Sequence, residues 1–189
     1  MQRFTLVITI SAIIILILSS CLSFEYKTYT FEFTSQNSGT LTIEYINITS
    51  IKDIPNCEHD NSFADFEELV FSYLVGNRIE SDYPEARIIK KELFEQDEKL
   101  NGRIVIEFDN LEAVRLYRYS RRSPTMFNVS SAIDGEHYVS SNGEIGKTAF
   151  MNIVFFDPRL KTLTLKTKNA NTESAGVSLV DHYRKWQNE

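Results

Sequence analysis

Four arginines crowd into eight residues, Arg115, Arg118, Arg121 and Arg122, with Tyr117 and Tyr119 between them. Guanidinium groups grip phosphate or carboxylate through a two-pronged fork, and tyrosine rings can cover the apolar or sugar face of the same ligand. The segment is therefore a candidate anion-binding patch for an anionic headgroup, a glycan or a partner's acidic face. The competing interpretation is a solvated helix end whose cations complement the helix dipole and pair with local acids. Other reactive residue types form weaker patterns. Cys57-Glu58-His59-Asp60 gathers three ligand chemistries, but four adjacent residues do not readily converge on one ion, so a solvated loop is expected and no metal site. His137 and His182 stand without a partner that would make either a working base. Asn142 to Thr148 ends like a phosphate-binding loop, but Ser141 stands where that motif needs glycine and a strand-like run follows where it needs a helix. The pattern thus names no catalytic residue, no metal and no cofactor.

The elements that must position these residues are mostly strands. Tyr29, Phe31 and Phe33 alternate with polar residues, as do Leu41, Ile43 and Tyr45, and Gln36-Asn37-Ser38-Gly39 between them predicts a β-hairpin. Phe63, Phe66, Leu69, Val70, Tyr73 and Leu74 form one stripe at the helical period, which predicts an amphipathic helix capped by Ser62 and ended at Gly76. Strands are expected again over 86–95 and 103–108 with a turn at Asn101-Gly102, then a short helix from Leu111 to about Tyr117. Further strands are expected over 126–129, 136–139, 148–156 and 160–168, with Asp157-Pro158 turning the last pair, while 177–186 suits either helix or strand. Strands and helices mix without βαβ alternation. That predicts an α+β fold, a mainly antiparallel sheet with one long amphipathic helix and one or two short helices packed on it.

The N-terminus carries a different signal. Arg3 is followed by an apolar run from Phe4 to Leu18, too short for the roughly 20 residues that span a bilayer and suited to an export signal. It ends in Leu18-Ser19-Ser20-Cys21, which resembles the lipobox of bacterial lipoproteins. That resemblance implies removal of residues 1–20, a diacylglycerol thioether on Cys21, a short tether over 21–26 and a single globular domain over 27–189. Leu22 after the cysteine resembles the outer-membrane-directed case. Two or three acyl chains hold a protein firmly, since each buried methylene contributes about 0.8 kcal/mol. The mature part, with Ser38 to Leu41 at a strand turn, an amphipathic helix, and Gly102 to Phe108 leading into Asp109 to Ala113, also looks like extracytoplasmic lipoprotein domains of the LppM type. Such domains imply a β-rich envelope module in contact with lipid or glycolipid, and carry no established catalytic residues.

Charge narrows the partners. The chain holds 20 Lys and Arg against 26 Asp and Glu, a net charge of −6, and losing Arg3 with residues 1–20 makes it −7. Nucleic acid is an unfavourable partner for so acidic a chain. If Cys21 is acylated, Cys57 has no intramolecular partner, and a buried thiol is expected. The sequence thus predicts a membrane-tethered envelope lipoprotein of non-enzymatic type, anchored through Cys21 with its domain outside the cytoplasm, at the outer membrane or periplasmic face if the cell is Gram-negative. Its expected partners are the membrane through its N-terminal lipid, and an envelope lipid, glycan or protein. The alternative is an extracytoplasmic hydrolase built from scattered acids and one of His59, His137 or His182.

Overall fold

Alternation of apolar and polar residues builds two antiparallel sheets. The computed structural model describes residues 21–51, 61–129, 135–146, 152–169 and 176–188. The expected hairpin is β1 (Leu22–Phe33) and β2 (Gly39–Ile51), in register from Leu22 opposite Ser50 to Phe33 opposite Gly39. A Cβ on Gly39 would lie 2.2 Å from the Glu32 carbonyl oxygen, so the tight hairpin end admits only glycine. Strands β3 (Arg87–Gln96) and β4 (Lys99–Phe108) follow, then the short β5 (Leu116–Tyr117), β6 (Thr125–Asn128), β7 (Glu136–Ser141), β8 (Glu144–Ile145), β9 (Ile153–Phe156), β10 (Thr162–Asn169) and β11 (Gly176–Ser178). The large sheet runs β3-β4-β2-β1-β10-β7, with β11 also on β2, and the small one runs β5-β6-β9-β8. Pairing slips by one residue at Ile89 in β3, between Ile88 and Lys90, and at Val139 in β7, opposite the Lys166–Thr167 step of β10.

Two apolar cores hold these layers. Phe31, Leu41, Ile43, Ile106 and Phe108 of the large sheet meet Leu116, Phe127, Val154 and Phe156 of the small one, all buried. Further along the large sheet, Ile48 and Leu100 meet the helical segments through Phe66, Leu69, Val70, Leu179 and Tyr183. Each fully buried side chain of this size contributes about 1.5–3 kcal/mol. The opposite face of β1 and β2 carries Thr28, Thr30, Thr40 and Thr42, the polar half of the same alternation.

Several expectations need correction. The mainly antiparallel sheet with short helices is present, but no long amphipathic helix forms. The run from Ser62 is a seven-residue helix α1 (Ser62–Glu68) that widens into six residues of π geometry, Leu69–Leu74, with the Val75 N–H bonded to the Val70 carbonyl at 2.9 Å. An i→i+5 turn changes which side chains face inward. Phe66, Leu69 and Val70 are buried, whereas Phe63 is 60% exposed. Ser62 does not cap α1; its hydroxyl meets His182 Nε2 at 3.2 Å, and Asp65 accepts from buried Ser50. A second short helix, α2 (Arg78–Asp82), follows.

Asn101-Gly102 is not a turn. The β3–β4 hairpin closes at Asp97 and Glu98, both with positive φ, as a two-residue loop matching the strand twist requires. The expected helix at 111–117 is only a 3₁₀ turn at Glu112–Val114, because Arg115 adopts a left-handed φ of 61° and Leu116 enters β5. Asp157-Pro158 does not turn a pair, since β9 and β10 belong to different sheets. Residues 177–186 split into both options, β11 and then α3 (Val180–Gln187). The stretch expected as a tether is already strand from Leu22.

Candidate ligand-binding cavity

Where the two cores part, the molecule carries a cavity of about 810 Å³ that is open to solvent on one side. Its position follows from one local conformation. Asn47, in the middle of β2, has a φ of 58°, a region asparagine tolerates better than most residues. Its N–H bonds to Asn101 Oδ1 at 2.9 Å and its side chain to Glu25 at 3.1 Å, so the polar groups freed by the kink are satisfied. Strict alternation is lost there, and Tyr45 and Ile48, three residues apart, both line the cavity. Gly102 forms part of the wall between them; a Cβ there would come to 3.1 Å from Ile48 Cδ1. The apolar wall continues through Leu93, Leu69 and Tyr73, and the far end is formed by Ile79 and Tyr83 around α2.

A buried ion pair sits in this wall. Lys27 on β1 and Glu136 on β7 meet at 2.9 Å across β10, with side chains only 9% and 5% exposed. Glu136 also accepts from Tyr29 OH at 3.2 Å and from Thr167 Oγ1 at 2.6 Å, which fills the remaining lone pairs of a desolvated carboxylate. The Lys27 ammonium lies 5.0 Å from the ring centroids of Tyr29 and Tyr45 and 5.7 Å from that of Phe24. Burial alone would push this ammonium down, but the facing phenols of Tyr45 and Tyr29 and the Glu136 carboxylate more than offset it, and it titrates well above the usual lysine range. Burial pushes the Tyr29 phenol well above its ordinary value and raises Tyr83 to about 12.

The arginine patch is divided by the fold. Left-handed Arg115 stacks its guanidinium 5.0 Å from the Tyr83 ring centroid and lines the large cavity. Arg118 turns elsewhere, donating to Thr125 Oγ1 at 3.0 and 2.6 Å and to the Gln36 carbonyl at 3.2 Å. Its guanidinium lies over Phe33, and desolvation lowers its pKa. Arg118 and Arg121 border a second hollow of about 300 Å³ with Gln36, Asn37 and Asn110. Arg121, Arg122 and Tyr117 are exposed, Tyr119 is 92% exposed, and neither tyrosine lines either hollow. The six residues therefore do not form one site.

His182 is packed against Phe63 and Phe66, with centroids at 5.7 and 6.0 Å, and has a structural setting. His137 is exposed on β7. Cys57 to Asp60 lie outside the described residues, as do Lys147 and Thr148. Among the described residues, no three His, Cys, Asp or Glu stand together as a metal site.

Cys21 lines the cavity at the start of β1, its carbonyl accepting from the Ile51 N–H at 2.7 Å. Its sulfur is joined in a disulfide. The chain's other cysteine is Cys57. One sulfur cannot hold both a disulfide and a thioether, so this bond and the acylation implied by the lipobox resemblance exclude each other. Sequence reading missed Lys27 and Glu136. The signal for Lys27 was present, since it stands two residues before Tyr29 in the alternation and so falls on the buried face.

The sequence matches no family model, and no curated protein or solved structure matches it.

Proposed function

We propose that this chain is an exported, membrane-tethered envelope protein that binds a small ligand in the cavity between its two cores and catalyses no reaction on it. The observation that carries the ligand reading is the cavity itself. It has the size of small-molecule sites, and its lining joins apolar and aromatic side chains to a set of charged ones. The export reading rests on the apolar run before Cys21, and a disulfide would equally belong to an oxidising compartment. Attachment is through a thioether on Cys21 in place of the disulfide, a reading supported by Leu18-Ser19-Ser20 and the apolar run before it. Since β1 starts at Leu22, the acyl chains would begin at the cavity wall with no intervening spacer.

Two measurements test this. Intact mass of the chain taken from its native membrane should show loss of residues 1–20 and a diacylglyceryl addition at Cys21. An unacylated chain two hydrogens lighter than its sequence would overturn the anchor and support the disulfide. Native mass spectrometry of the same preparation should show a bound small molecule in one-to-one ratio, and a chain that never carries one, in any extract, would overturn the ligand reading.

A further inference from the structure

We infer that the cavity selects amphiphiles with an anionic head, which Lys27 holds at the inner end while the tail lies along Ile48, Leu69 and Leu93. This deepens the ligand reading above and rests on it. Lys27 has three N–H donors. Among the described residues Glu136 takes one, and the ammonium otherwise faces only the rings of Phe24, Tyr29 and Tyr45, which are weaker partners than an oxygen. A ligand oxygen entering the cavity would meet these donors without displacing Glu136.

Local charge gives the sign of the head. The cavity lining holds Lys27, Arg78, Lys91, Arg103 and Arg115 with Asp82, Glu92 and Glu136, and Glu80 and Glu44 stand against Lys91 and Arg103. Lys91 and Arg103 are already engaged, by Glu80 and by Glu44 with Glu92, but Arg78 is exposed at the cavity and makes no ion pair among the described residues. An anionic head therefore meets Arg78 and the spare Lys27 donors, and low-dielectric walls strengthen that attraction. The aliphatic stretch beyond the head requires the rest of the ligand to be apolar, which distinguishes an amphiphile from a free inorganic anion.

Water-soluble short-chain lipids test the inference on the full chain held in phosphatidylcholine nanodiscs, by calorimetric titration against empty discs. Dihexanoyl phosphatidate should bind one-to-one, at least tenfold tighter than dihexanoyl phosphatidylcholine and than inorganic phosphate. In the double variant K27M/E136M, which removes both members of the pair together, that preference should vanish while phosphatidylcholine binding persists. R78Q should reduce the preference about threefold, and provides the test if the double variant melts early by circular dichroism. Equal binding of the two lipids would overturn the anionic head and leave the ligand reading intact. Inorganic phosphate binding as tightly as phosphatidate would overturn the apolar tail. Absence of binding by any probe would overturn the ligand reading with it.

Discussion

Lys27 and Arg121 are both cations, yet the fold treats their neighbourhoods in opposite ways. Around Lys27 the charge is withdrawn from water, matched by Glu136 and walled by aromatic rings. Around Arg121 and Arg122 the charges stand in solvent on a turn. Local density of charge drew attention to the second region, whereas energy is concentrated in the first, because desolvated charges cost several kcal/mol unless they are paired.

The largest effect expected from this contrast is at Glu136. Glu136→Ala leaves Lys27 buried without its counter-ion, and urea denaturation should show a loss of about 3–5 kcal/mol. Removing the pair as K27M/E136M should return most of it, since apolar replacement of a whole buried pair is often neutral. A single variant as stable as the parent would show the pair to be hydrated and the contrast to be false.

Alkaline titration should give the next largest change. Tyr83, with a folded pKa of about 12 against an ordinary 10.0, holds its proton more tightly folded than unfolded. Its contribution is whole below pH about 10 and is lost as pH rises to about 12, a fall of about 2–3 kcal/mol. Lys27 acts in the same direction, since its ammonium is favoured in the folded state and its contribution fades only above the ordinary lysine range. Melting temperature followed from pH 7 to 12, with phenolate absorbance near 295 nm, checks both. Tyr83→Phe should flatten part of the decline.

Smaller effects belong to the arginine segment. Arg118→Ala strips the buried Thr125 hydroxyl of its donor and should cost about 1–2 kcal/mol by thermal melting. Arg121→Ala and Arg122→Ala should change stability by less than about 0.5 kcal/mol, the usual range for exposed positions. If either cost as much as Glu136→Ala, the ordering of the two regions would be reversed.

The alternation at Tyr29 to Phe33 and Leu41 to Tyr45 made the central hairpin legible, since period-two burial is the direct cause of that structure. Asn101-Gly102 misled because glycine serves here to leave room beside Ile48, a use that only the tertiary approach of β2 and β4 creates. The real turn, Asp97-Glu98, carries no glycine to announce it. The helical stripe from Phe63 was read correctly as helix, but the widening after Glu68 depends on packing between α1, β2 and α3 and leaves no trace in spacing. The candidate site was mostly illegible, because Lys27 and Glu136 lie 109 residues apart and meet only once β10 is placed between β1 and β7.

The pairing slip in β3 between Ile88 and Lys90 has a consequence for chains crowded side by side. An unbroken outer strand offers a ladder of unsatisfied amides on which another molecule can zip, the first step toward aggregates. Here the slip interrupts that ladder, and the Lys90–Glu92 ion pair sits beside the break, so neighbours meet a bent, charged margin that resists templated stacking.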